Sequence, residues 1–196
     1  TTQSGQQVIY ETAGATATIE GGSVSLTLQS EDDDGGNLVN RGATIRSTEG
    51  SIDIETSGDV INEALVVEQI SDIQTDGLSR LFGQSDYARR SDFVGSSIES
   101  AADINITADG TVQNIASDIV GEGDVVVDGR EGVEQRNLAE VYDTASGIGY
   151  REQAVENQSS SISGANVTLR SSEGDIVSIG SDISSDGETV LEAIEG

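Results

Sequence analysis

The chain has no cysteine, histidine, methionine, tryptophan or proline, and its nine basic residues are all arginine. Without cysteine there is no disulfide and no thiol nucleophile, and without histidine there is no imidazole base and no ordinary zinc site. The lack of lysine removes Schiff-base chemistry. Aromatic residues are limited to four tyrosines and two phenylalanines, which excludes a core stacked around large rings. No apolar run approaches the about twenty residues that a membrane-spanning helix needs, and no signal-peptide pattern is visible. A chain that starts at Thr1 and holds no methionine reads as an internal or processed piece of something longer.

Acid is present in excess. Thirty-six aspartates and glutamates leave a net charge of −27, a field that repels a phosphate backbone and an anionic lipid surface alike. It suits a solvated exterior in salty surroundings, where screening relieves the self-repulsion. Twenty-four glycines accompany many Val, Ile and Leu residues. Because these apolar residues recur in regular pairs, they point to β-structure built on small repeated turns rather than to disorder.

The chain aligns on itself through one phrase: an isoleucine, a short polar stretch with Gly or Ala, then two apolar residues one position apart. The copies are Ile19 with Val24, Leu26 and Leu28, then Ile45 with Ile52 and Ile54, and Ile98 with Ile104 and Ile106. Ile119 with Val125 and Val127, Ile162 with Val167 and Leu169, and a weaker Ile183 with Thr189 and Leu191 complete the set. The steps Ile98 to Ile119 and Ile162 to Ile183 are both 21 residues, a solenoid period. Spacing of i, i+2 is strand alternation with one face buried. A second motif opens with glycine: Gly36 to Asn40, Gly58 to Asn62, Gly110 to Asn114 and Gly174 to Ser178. Each coil thus carries about three short strands joined by tight turns, in which Gly, Asn and Asp supply the positive-φ positions. Stacked at about 4.8 Å per coil, the isoleucines and valines form ladders inside a tube. The expected fold is all-β, a right-handed parallel β-helix. Its open end coils are expected to fray or aggregate unless something caps them.

Two stretches, about 64–97 and 129–159, break the period and are read as extruded hairpin-like insertions in a single helical segment spanning 1–196. They end alike, Tyr87-Ala88-Arg89-Arg90 leading to Ile98 and Tyr150-Arg151-Glu152 leading to Ile162. They are assigned five of the six aromatics and six of the nine arginines, Arg130 and Arg136 among them. Aromatic residues and arginine are favoured at protein contacts, so Phe82, Tyr87, Arg89, Arg90, Phe93, Tyr142, Tyr150 and Arg151 are the candidate partner contacts. The competing role for them is to anchor the arms by pairing with the carboxylates of an acidic rod.

Ser160 to Leu169, followed by Gly174-Asp175-Ile176 and Gly180-Ser181-Asp182-Ile183, resembles the haemagglutinin repeats of filamentous haemagglutinin and of contact-dependent growth inhibition exoproteins. Val94 to Ile98 followed by Asp103 to Ala108 carries the same phrase. The extreme acidity, the lack of lysine and Ala101-Ala102 in place of Gly-Gly depart from that pattern. The resemblance implies a non-enzymatic rod or stalk exported by an outer-membrane two-partner secretion transporter. It also implies residence on the surface of a Gram-negative cell and a role in adhesion or in toxin delivery to a neighbouring cell surface or outer membrane. A monomer is expected, with no cofactor, metal or nucleic acid.

Parallel β-helices also host polysaccharide-degrading enzymes, for which Asp124 with Asp128 or Asp175 with Asp182 offer paired carboxylates. In so acidic a chain close pairs arise by chance. Asp32-Asp33-Asp34-Gly35-Gly36-Asn37 suggests calcium, yet fits neither an EF-hand nor the calcium nonapeptide, and reads as a solvated turn. A phage tailspike or fibre shaft is a further structural alternative, distinguished by its usual trimeric state.

Overall fold

The computed structural model describes residues 6–10, 16–30, 35–74, 85–146 and 150–194, all of them in strands, turns or loops without a helix. In chain order, β1 (Gln6–Tyr10) precedes a first coil of β2 (Thr18–Gly21), β3 (Val24–Leu28) and β4 (Leu38–Arg41). The second coil is β5 (Thr44–Ser47), β6 (Ile52–Thr56) and β7 (Val60–Glu63), followed by the long strands β8 (Leu65–Gln74) and β9 (Ser85–Val94). The third and fourth coils follow as β10 (Ser97–Ser100), β11 (Ile104–Ala108), β12 (Thr111–Ile115), β13 (Asp118–Gly121), β14 (Val125–Gly129) and β15 (Gly132–Arg136). Two more long strands, β16 (Leu138–Ser146) and β17 (Tyr150–Gln158), lead to β18 (Ser161–Gly164), β19 (Val167–Ser171), β20 (Ile176–Ile179), β21 (Asp182–Ser185) and β22 (Thr189–Ala193).

First strands pair only with first strands, in the order β2-β5-β10-β13-β18-β21, and the second and third strands of the coils build two further sheets by the same rule. All of this pairing is parallel. The architecture is therefore a parallel β-helix. Its register places Ile19, Ile45, Ile98, Ile119, Ile162 and Ile183 directly over one another. The 21-residue spacing read from the sequence is thus one turn of the coil.

Burial follows the alternation. In β6 the pattern is buried, exposed, buried, exposed, buried, so Ile52 and Ile54 face in while Asp53 and Glu55 face water. Ile98, Ile104, Ile106 and Ile119 have no exposed surface, whereas Ile19 in the first coil is 47% exposed and Leu191 in the last is 55% exposed. Inward residues lose one neighbour at each end of the stack, as expected for a solenoid whose coils are buried only by adjacent coils.

Corners are held by polar ladders. Close stacking of successive turns leaves no room for a side chain at Gly174, where an added Cβ would overlap the carbonyl oxygen of Glu131 one coil away. Serines repeat at the corner before the first sheet. The Ser96 amide donates to Ser117 Oγ at 3.1 Å, the Ser96 hydroxyl donates to the Glu63 carbonyl at 2.5 Å, and the Ser160 hydroxyl donates to Ser181 Oγ at 2.8 Å.

A second polar ladder lies inside the tube. Asn40, Asn62, Asn114 and Gln135 are in register in the third sheet and all are buried. The Asn40 amide donates to Asn62 Oδ1 at 2.7 Å, and the Asn62 amide donates to Asn114 Oδ1 at 2.8 Å. Each also donates to a main-chain carbonyl at the start of the coil two steps on: Ser97, Asp118 and Ser161 for the asparagines, Asp182 for Gln135. Gln135 breaks the series, because its Oε1 is buried with no hydrogen-bond partner. A stranded buried acceptor costs on the order of 1–3 kcal/mol. Shortening the side chain by one methylene to match its neighbours should recover part of this. Gln135→Asn is expected to stabilise the protein by about 1 kcal/mol in urea denaturation, and a loss of stability would mean that the missing methylene matters more than the acceptor.

By Cα packing the chain divides into two compact units. One is the β-helix, comprising Ala15–Leu65, Gly95–Leu138 and Ser159–Gly196. The other takes Val66–Val94, Ala139–Gln158 and the amino-terminal strand β1, which form a five-stranded sheet in the order β1-β8-β9-β16-β17. β1 pairs with β8 and β9 with β16, both antiparallel. Each insertion supplies two neighbouring strands, β8-β9 and β16-β17, as the hairpin-like reading expects; the two pairs lie side by side in one sheet, and β1 joins it.

The second insertion also begins later than its lost periodicity indicates. Residues 129–138 belong to the helix, with β15 paired to β12 on one side and β20 on the other. Arg130 and Arg136 therefore belong to the coils. The repeat is hard to see there because Glu131 stands where the other third-strand motifs open with glycine, and Gln135 stands where three of them have asparagine. Both insertions interrupt the coil at the same corner, after a third strand and before the next first strand.

Candidate functional site

On the helix, the outer faces are hydroxylic and acidic. Every arginine of the described coils has a carboxylate within 4.0 Å: Arg41 with Glu63, Arg46 with Glu99, Arg130 with Glu173, Arg136 with Glu134 and Arg170 with Glu192. The Arg130 guanidinium bonds Glu173 through Nε and Nη2, and that hydrogen bond and charge raise its pKa further above the ordinary arginine value. These pairs are exposed, the class that contributes little to stability. With so large an excess of acid, unscreened repulsion remains. The melting temperature is expected to rise as sodium chloride goes from 10 mM to 1 M, because the Debye length falls from about 30 to about 3 Å over that range. A flat or falling curve would show that the pairs already balance the field.

The carboxylates suggested for acid–base chemistry are corner and face residues here. Asp124 precedes β14; its backbone N–H donates to Asp103 Oδ1, and its own carboxylate accepts from Asn166 at 2.7 Å. Asp128 lies four residues further along the same extended segment. Asp175 precedes a strand of the third sheet, whereas Asp182 opens a strand of the first. The members of the second pair thus stand at strands of different sheets. Asp32, Asp33 and Asp34 lie outside the described residues, as does Phe82.

The inserted sheet gathers most of the remaining candidates. Arg89 and Arg90 are neighbours on β9, Tyr142 lies on β16 opposite Arg90, and Arg151 follows Tyr150 on β17. Tyr87 and Tyr150 are placed by their backbones, Tyr87 opposite Ala145. Phe93, near the end of β9, is half-buried. Strand alternation sends Arg89 and Arg90 to opposite faces. On one face, Arg89 meets Glu68 at 2.5 Å, while Arg151 holds Asp143 through Nε at 3.2 Å and Nη2 at 3.0 Å. That hydrogen bond, with the charge of Asp143, raises the Arg151 pKa. On the other face, Arg90 lies 2.7 Å from Asp92 and 3.7 Å from Glu140.

These carboxylates all stand on the inserted strands. Around Arg90 the sheet carries a shallow depression of about 270 Å³ lined by Arg90, Glu140, Tyr142, Ala154 and Glu156. Sequence reasoning passes over Glu140, Ala154 and Glu156. The signal available is the two-residue alternation within Leu138–Ser146 and Tyr150–Gln158, but which strands lie side by side cannot be read from it.

No family model, curated protein or solved structure matches the chain. Its own architecture places it among parallel β-helix proteins, with an inserted sheet as the part that departs from the repeat.

Proposed function

We propose that the chain is a structural repeat segment of a large secreted exoprotein of the filamentous-haemagglutinin kind, serving as a rod or stalk for adhesion or for contact-dependent toxin delivery. The observation that carries this reading is the uninterrupted isoleucine ladder from Ile19 to Ile183, through six coils in strict register. A stack rising about 4.8 Å per coil spends its sequence on length. The acidic, hydroxyl-rich exterior suits a solvated shaft.

An antibody raised against this chain tests the proposal on the cells that produce it. Label on intact cells that is removed by external protease, and an elongated particle bearing the epitope in negative-stain electron microscopy of the released protein, are the expected results. Label that appears only after lysis would overturn it.

A further inference from the structure

We infer that the outer edge of β17 is a docking site for an extended peptide strand that carries a basic side chain, received by main-chain pairing and by the depression beside Tyr142. This inference does not rest on the proposed role of the coils. β17 closes one end of its sheet, so among the described residues one of its edges has no strand beside it. Nine residues at about 3.4 Å each give an edge of roughly 30 Å. From Arg151 to Gln158 every residue is exposed.

Natural sheets protect such edges with proline, charged side chains and lysine above all, a bulge or a very short strand; β17 carries Arg151, Glu152 and Glu156 but none of the backbone devices. β17 is long, the chain has neither proline nor lysine, and the segment Tyr-Arg-Glu-Gln-Ala-Val-Glu-Asn-Gln has no interior glycine to kink it. An open, regular edge of this kind is the geometry used in β-strand addition, where main-chain bonds supply affinity and alternate side chains supply specificity.

The face beside this edge determines which strand it suits. The depression combines the Tyr142 ring, which is 39% exposed, with the carboxylates of Glu140 and Glu156 over the small side chain of Ala154. Among the described residues Arg90 is the one cation lining it, and it is already engaged by Asp92 and Glu140. At about 270 Å³ the space lies below the roughly 300–1,000 Å³ of small-molecule pockets and suits one long side chain. An aromatic face with carboxylates beside it attracts an ammonium or guanidinium group. On the opposite face Val155 is 58% exposed and offers an apolar contact to one side chain of an incoming strand. A second copy of this chain would bring another acidic β17 to the edge, so the charge favours a basic partner segment over self-pairing.

The test uses the full chain, isotopically labelled, and a nine-residue peptide of alternating threonine and valine with one central lysine on the threonine face. Binding should shift the amides of Arg151 to Asn157 and slow their hydrogen exchange. Replacing the peptide lysine by glutamate should weaken binding at least tenfold, and N-methylating every second peptide amide on the pairing edge should abolish it. Ala154→Leu, which fills the depression, should weaken binding by a similar factor, with far-UV circular dichroism confirming that the variant folds. The inference is overturned if the N-methylated or glutamate peptide binds as well as the parent, or if protection falls on other strands. It is equally overturned if the free chain sediments as a dimer whose β17 amides are already protected.

Discussion

Replacing Ile106 by alanine is expected to destabilise the protein by about 2–5 kcal/mol, the range for deleting most of a buried isoleucine side chain from a core that cannot fully collapse. Ile106 has no exposed surface and stands between Ile54 in the coil before and Val127 in the coil after. The ladder rungs are fixed at the strand spacing by main-chain hydrogen bonds on every side, so neighbouring coils cannot close over the space left. The same truncation at Leu191, in the outermost strand of the second sheet and 55% exposed, should cost well under half as much. Urea denaturation followed by circular dichroism measures both. Equal losses at the two sites would show that the interior is not packed by stacking of like residues.

A second large effect is expected inside the polar ladder. Asn62 has no exposed surface; its amide donates to Asn114 Oδ1 at 2.8 Å and to the Asp118 carbonyl at 3.1 Å, and its oxygen accepts from Asn40. Asn62→Asp keeps the shape but turns the donor into an oxygen facing two acceptors, and it buries a charge without a counter-ion. Leaving a charge buried and unpaired costs on the order of 3–5 kcal/mol.

The carboxyl at position 62 should respond by holding its proton, its pKa raised by burial and by the surrounding acceptors. The sign then follows: the folded state binds the proton more tightly than the unfolded state, so the variant is least impaired below about pH 3.9, the unfolded aspartate value. Relative to the parent it loses stability as pH rises, at up to about 1.4 kcal/mol per pH unit, until the folded carboxyl has ionised. A difference between parent and variant that stays constant from pH 3 to pH 8 would refute the ladder's role as a donor chain. Asn62→Leu separates the terms, since it strands Asn40 and Asn114 without adding charge.

Much of the helix was legible because its repeat is carried by residues whose physical role is local and recurrent. Ile45, Ile98, Ile119 and Ile162 each precede an i, i+2 apolar pair, and a strand with one buried face can be written in few other ways. The glycine-led motifs mark other third-sheet strands for the same reason. β15 escapes the pattern because Glu131 replaces the leading glycine and Gln135 the asparagine, which shifts Arg130 and Arg136 into an insertion they do not belong to. The asparagines were legible as residues and not as a ladder. Asn at the fifth place of three motifs reads as turn chemistry, whereas Asn40, Asn62 and Asn114 point inward and bond one another across coils.

The candidate site was legible only in part. An unusual density of tyrosine and arginine singles out the insertions, but residue type does not say which strands pair. Arg90, Tyr142 and Ala154 are brought to one depression by three strands drawn from two insertions 44 residues apart between Val94 and Ala139, a juxtaposition that no local pattern encodes.

By itself, then, the sequence determined the all-β class, the length of a coil and the identity of most inward residues, because side-chain alternation and turn chemistry act within a few positions of the chain. Tertiary structure alone decided that two insertions and the amino-terminal strand make one sheet, that its arginines find their carboxylates there, and that β17 is left as an edge. Strand partners far apart in sequence are selected by the register and side-chain complementarity of whole strands, which exist only once the chain has folded.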